Sequence, residues 1–276
     1  MARGLSRRAV LLSAVAAFGK TAGIELGVCE NANHFALADQ YGFDYFEASG
    51  SAIAAMSEAE FASFRDQVNA SRIRCMRVNR LMRTKVVGQD VNLEPVMAYL
   101  DSTFERCRSL GCRVVVWGSS SSRQVPDGFS RDAAWGQMKA FLSRAGDIAK
   151  AKQLVIGIEP LRKQESNIIN SGAEALRLVE DVHHPQVQMI IDYYHLRVEK
   201  EDPEIVRTAK DHIVHLHFAN PNGRRWPKSA DEDTEYRRFF DILKQVRYEG
   251  GLSIEGTGTF ENDAAQSLSF FRSELA

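Results

Sequence analysis

From residue 24 onward, short apolar or β-branched runs alternate with longer stretches whose apolar residues recur at helical spacing. Eight runs have strand character, at 24–29, 44–48, 73–79, 113–117, 154–159, 187–192, 212–218 and 251–255. Between them the periodicity predicts helices such as 94–110, 131–151 and 233–246. Glycines in Leu110-Gly111 and Tyr248-Glu249-Gly250 read as helix closures, and Ser171 to Glu174 as a capping box. Regular βα alternation without a long linker predicts an α/β fold, a single-domain (β/α)₈ TIM barrel over 23–276. An open dinucleotide-binding sheet is disfavoured, because no G-x-G-x-x-G follows the first run.

In such a barrel the chemistry collects where strands end. The last four runs end in Glu159 after LVIGI, Asp192 after VQMII, His217 within HIVHLHF and Glu255 after GLSI. An acidic residue after one strand is commonly only a cap for the next helix, but four successive metal-competent ends are not explained that way. Alternation puts Gly157 on the face of Glu159 and Ser253 on that of Glu255, with small residues beneath both carboxylates. His215 shares the face of His217 and reads as a satisfied interior histidine. Three carboxylates and one imidazole form a mostly hard donor set for one divalent ion, Mn²⁺ first, with Mg²⁺, Co²⁺ or Zn²⁺ as alternatives. Open positions on that ion would make it a Lewis acid.

Composition narrows the partners. With 35 basic against 36 acidic residues, nothing is built to neutralise a phosphate backbone, so no nucleic acid is expected. The four cysteines, Cys29, Cys75, Cys107 and Cys112, form no CxxC pair and read as buried or incidental thiols. Ser119 to Ser122 reads either as a solvated loop or as an anion nest. Residues 1–22 carry four basic residues and no acid, with an apolar stretch at 9–18 too short to span a bilayer. Ser6-Arg7-Arg8 before that stretch resembles a twin-arginine export signal; a mis-set start or an amphipathic N-terminal helix fits equally, so export and a cytoplasmic location both stay open.

The segments IGIEPLRKQESNIIN, IIDYYHL, VHLHFANPNGRRWP and LSIEG, in that order, together with the looser GFDYFEAS and VVVWGSSSSRQVPDGFS, resemble the sugar isomerase/epimerase superfamily of xylose-isomerase-like barrels. That superfamily includes ketose 3-epimerases such as D-tagatose 3-epimerase. The resemblance implies metal ligands at Glu159, Asp192, His217 and Glu255, with Glu159 and Glu255 as an acid/base pair. It also implies that Glu165, His195 and Arg224 bind substrate, Arg225 being the alternative to Arg224. The activity expected is proton abstraction beside a ketone, through a metal-stabilised enediolate, with epimerisation of a ketose or keto-sugar as the outcome. A one-base aldose–ketose, keto-inositol or hydroxypyruvate-type isomerase is the alternative. An apurinic endonuclease is disfavoured because FANPNGRRWPKSADED lacks a D-x-H, and a non-catalytic sugar-binding barrel because all four ligands are present. The expected partner is a small-molecule sugar, with homo-oligomerisation left open.

Overall fold

Most strand positions of this chain are apolar because each strand is covered on both sides, by helices outside and by packed side chains within. A computed structural model describes residues 23–275 and shows β1 (Glu25–Cys29), β2 (Tyr45–Ser49), β3 (Cys75–Asn79), β4 (Val114–Trp117), β5 (Val155–Ile158), β6 (Val187–Asp192), β7 (Ile213–Phe218) and β8 (Gly251–Ile254). All are parallel and close into one barrel, β8 returning to β1 with Glu25 opposite Gly251 and Val28 opposite Ile254. All eight expected runs are strands, and the fold is a single-domain (β/α)₈ barrel. The expected extension at 1–22 lies outside the described residues, among which no helix is long and apolar enough to cross a membrane.

Eleven helices cover the outside among the described residues: α1 (Phe35–Tyr41), α2 (Gly50–Ala55), α3 (Glu58–Ala70), α4 (Glu94–Ser109), α5 (Ser120–Arg123), α6 (Arg131–Ala151), α7 (Gly172–Val182), α8 (Tyr193–Val198), α9 (Ile205–Ala209), α10 (Tyr236–Gln245) and α11 (Phe260–Leu275). The longest shows why the pattern folds this way. In α6 the Ser130 hydroxyl caps Ala133 N, Asp132 sits in the positive first turn, and Ala134, Met138, Phe141, Leu142, Ala145 and Ala149 form one buried stripe.

Two local expectations need correcting. At the start of α7, Ser171 Oγ does accept from Glu174 N, but the Glu174 carboxylate takes the N–H of Asn170 instead, so the box is only half formed. Helix α10 starts later than expected because Asp233 accepts from Glu235 N, Tyr193 Oη and Arg197, turning the chain before the helix. It ends at Gln245 with Arg247, not a glycine, at φ 54°. Gly250 instead clears space for the Tyr248 ring, whose Oη would lie 2.2 Å from a Cβ there.

The barrel interior is divided. Val114, Val116 and Ile190, with Val214 against them, fill one side, and Gly157 is needed because a Cβ would come 2.6 Å from Ile190 Cγ2. The other side is polar, with Tyr45, Glu47, Arg77, His215 and Ser253 all buried. Register shifts at Phe46/Glu47 and Met189/Ile190 leave Met76 and Val214 as extra residues. The second shift lets neighbouring Val214 and His215 both turn inward, which strict alternation forbids.

Outside the barrel, Phe218 stacks on Tyr193 at 4.2 Å between centroids and meets Phe239, Phe240 and Phe271. Phe218→Ala is expected to lower unfolding free energy by about 3–5 kcal/mol in urea titrations, because it removes a wholly buried ring packed against these four rings. Arg237→Ala, on the exposed face of α10, should stay within about 0.5 kcal/mol of wild type.

Candidate metal centre

Strands β5 to β8 deliver their terminal side chains to one point. Ligand atoms of Glu159, Asp192, His217 and Glu255 all lie within 4.8 Å of one another. His217 Nδ1 is the meeting place, 2.8 Å from Glu159 Oε1 and 3.3 Å from Glu255 Oε2. Two carboxylates converging on one ring nitrogen require something electropositive between them, either a proton or a cation. Donors about 2.1 Å from a shared ion sit roughly 3 Å apart when adjacent, so the 2.8 and 3.3 Å separations at His217 Nδ1 are of the size that ligands of one divalent ion would have.

Each donor is held by a different local device. Glu159 passes over Gly118, where a Cβ would fall 1.6 Å from Oε2. The main chain at Glu159 is gripped by the fully buried Arg123, which donates to the carbonyls of Glu159 and Trp117; burial pushes its pKa down to about 10. Ser122, also buried, takes the Trp117 indole N–H at 3.0 Å. Of the serine run, Ser122 is thus part of the scaffold under Glu159, while Ser121 is exposed. Asp192 does two jobs: Oδ1 caps α8 at Tyr194 N, leaving Oδ2 for the cluster.

Glu255 receives Asn79 Nδ2 on Oε1 at 3.2 Å and Arg224 Nη2 on Oε2 at 2.6 Å. Burial would raise its pKa, but Arg224 and then His217 outweigh that and hold it well below the usual carboxylate range. Burial would likewise discharge His217, yet Glu47, Cys29, Glu159 and Glu255 together hold its pKa well above the usual histidine value.

Glu159, Glu165, His195, Arg224 and Glu255 line a cavity of about 380 Å³, within the usual range for small-molecule sites. Asp192 and His217 are nearly inaccessible behind these carboxylates. His195 Nδ1 accepts from Arg162 N at 3.1 Å, and Glu165 pairs with Arg162 at 2.6 Å. Of the two arginines, Arg224 enters the site with its guanidinium 4.8 Å from the Tyr194 ring and its backbone at φ 54°. Arg225 is exposed and bonds Asn222 O.

Four features of the site were not anticipated. Glu47, wholly buried on β2, contacts both interior histidines; Asn79 holds Glu255; Arg123 lies under Glu159; and Cys29, expected as an incidental thiol, lines the cavity. The other three cysteines are buried, and all four are free. Only Glu47 had a readable signal, a charge in the middle of an otherwise apolar strand.

A family model described as xylose isomerase-like TIM barrel matches residues 35–274. An L-ribulose 3-epimerase of Mesorhizobium japonicum is 27% identical over 158 residues, 56% of this chain and 52% of that protein. A 3-dehydro-D-guloside 4-epimerase of Escherichia coli is 30% identical over 130 residues, 47% of each chain. The chain thus spans about half the length of these relatives. Among solved structures, a D-psicose 3-epimerase crystallised in the presence of D-fructose superposes with TM-score 0.80 at 17% identity, covering 91% of this chain and 99% of the other. An E. coli 3-keto-D-glucoside 4-epimerase gives 0.76 at 18%, with the same coverage. At that identity they show the fold alone.

Because the metal-free centre holds a proton on His217 against its carboxylates, a divalent ion must displace it. At neutral pH, Mn²⁺ uptake is expected to release about one proton, seen by calorimetry in buffers of different ionisation enthalpy. Affinity should fall as pH drops below the raised pKa and level off above it. Proton-neutral, pH-independent binding would contradict this charge balance.

Proposed function

This chain belongs to the xylose isomerase-like TIM barrel family, and we propose that it is a divalent-metal-dependent sugar epimerase that inverts a carbon next to a ketone. The substrate class is a ketose or keto-sugar derivative. The observation that carries this reading is the convergence of Glu159 and Glu255 on His217 Nδ1 at the end of a polar cavity. The names of the relatives share the same chemistry: the third carbon of a 2-ketose and the fourth carbon of a 3-dehydro sugar are both neighbours of a carbonyl.

Glu159, Asp192, His217 and Glu255 are the residues that would hold the ion, Mn²⁺ first among Mg²⁺, Co²⁺ and Zn²⁺. Bound there, it would supply Lewis-acid polarisation of the ketone and its neighbouring hydroxyl. The proton is the business of the chain's own carboxylates. Glu159 and Glu255 reach the cavity from strands three places apart, so one can take a proton from one face of the carbon while the other returns it to the opposite face. Glu165 and His195 supply polar groups at the cavity wall to orient substrate hydroxyls, and Arg224 both lines the wall and keeps Glu255 ionised.

One observation favours a one-base isomerase as second reading. The Arg224 guanidinium pairs with Glu255 at 2.6 Å, whereas Glu159 meets His217 Nδ1 at 2.8 Å, so the two carboxylates have unlike partners. Chelation followed by Mn²⁺ or Co²⁺ addition should abolish and then restore turnover of ketoses and keto-glycosides; full activity in metal-free protein would sink both readings.

Glu159→Gln and Glu255→Gln, compared at saturating metal, separate the two readings. For a two-base epimerase each variant loses inversion by about 10²- to 10⁴-fold, yet exchanges solvent deuterium into one epimer only, and the two variants prefer opposite epimers. Near-normal turnover in either variant would leave the one-base isomerase as the mechanism.

A further inference from the structure

Glu47 stands outside the four-residue centre yet is the most completely enclosed acid near it, with no exposed surface. Its two oxygens have separate tasks. Oε1 lies 3.0 Å from His217 Nε2, while Oε2 receives Ser253 Oγ and lies 2.8 Å from His215 Nε2. A carboxylate at that position accepts, so one ring proton of His217 is held on Nε2, and the proton that an ion would displace is the one on Nδ1, between Glu159 and Glu255.

The carboxylate cannot easily turn away from this duty. Tyr45 Oη bonds Ser253 Oγ at 2.7 Å, and the Arg77 guanidinium lies 3.9 Å over the Tyr45 ring, tied in turn to Glu25 at 3.0 Å. Tyr45 occupies the interior only because Gly27 opposite has no side chain; a Cβ there would lie 2.1 Å from the ring. On the other flank, His215 Nδ1 donates to Gly251 O at 3.0 Å, which anchors the ring whose Nε2 faces Oε2. A polar column thus runs from the floor of the barrel to the back of His217.

We propose that Glu47 is the positioning residue of the metal centre, setting the tautomer and ring orientation of His217 so that Nδ1 is the atom offered to the ion. The inference rests on the metal-centre reading given above. Without Glu47, Nε2 would have no acceptor, and the two carboxylates facing Nδ1 would draw the ring proton to the position the ion needs. Outer partners of ligating histidines act in this way generally.

Shape, more than charge, should decide the outcome. In Glu47→Gln the amide oxygen can still accept from His217 Nε2, while the amide nitrogen must donate to Ser253 Oγ or to an unprotonated His215 Nε2, reversing those bonds, so the bond to His217 survives without the charge. Glu47→Asp keeps the charge but withdraws it from His217 by one methylene. Glu47→Ala loses both. The expected order of Mn²⁺ affinity is wild type, then Gln, then Asp, then Ala, with the Ala variant about 10- to 100-fold weaker than wild type.

The test is Mn²⁺ titration of the full-length variants, together with ¹⁵N–¹H spectra of histidine-labelled, Zn²⁺-loaded protein. A slowly exchanging, downfield Nε2 proton on His217 is expected in wild type, still on Nε2 but less downfield in Glu47→Gln. If the Ala variant does not fold, the order of Gln and Asp decides alone. Asp behaving as wild type while Gln binds poorly would overturn the proposal in favour of a purely electrostatic role. Unchanged affinity in both, or a His217 proton on Nδ1 in the Zn²⁺-loaded wild type, would overturn it outright. Wild-type protein that takes up no divalent ion would instead sink the underlying reading of the centre.

Discussion

Crowding of like charge governs the upper end of this barrel. Glu159, Asp192 and Glu255 present carboxylate oxygens within 4.8 Å of one another and of one imidazole nitrogen. Desolvated carboxylates that close repel strongly unless each has a cation or a proton donor, and the surrounding structure is organised around supplying these. Arg224 spans Glu255 and Asp192, Asn79 donates to Glu255, and the α8 N-terminus takes the second oxygen of Asp192. Glu159 and Glu255 meet at His217 Nδ1, the position the proposed ion would take.

Keeping such a cluster in place requires rigidity from below. Here the barrel interior departs from a uniformly apolar core. Its β4 to β6 side is aliphatic and close-packed, whereas its β8 to β3 side carries Arg77, Tyr45, Ser253 and Glu47 in hydrogen-bonded or stacked contact. A buried polar network is costly unless its members find partners, and once partnered it specifies one arrangement. The apolar half resists compression; the polar half dictates orientation. The αL backbone of Arg224, unusual for a side chain of that size, belongs to the same economy, since it is held by Thr257 N donating to Arg224 O and directs the guanidinium inward.

Much of this was legible in the chain before folding. Apolar runs at regular intervals determine a parallel barrel, because only strands covered on both faces can be apolar throughout. Barrel topology then places strand ends together, so Glu159, Asp192, His217 and Glu255 could be grouped from their positions alone. The cap-like position of Asp192 was no argument against it, since one carboxylate has oxygens enough for both roles.

The remainder was decided only by tertiary structure. That Arg224, not Arg225, turns inward depends on a positive φ no local pattern specifies. Val214 and His215 both face the interior because a register shift on β7 breaks the alternation on which sequence reading relies. Glu47 and Asn79 lie on strands 170 and 176 residues from His217 and Glu255, which they contact, and Arg123 belongs to a serine-rich stretch with no site pattern of its own. Sequence periodicity reports which face of an element is buried, but which buried polar groups meet is a matter of three-dimensional distance, and that exists only once the barrel has closed.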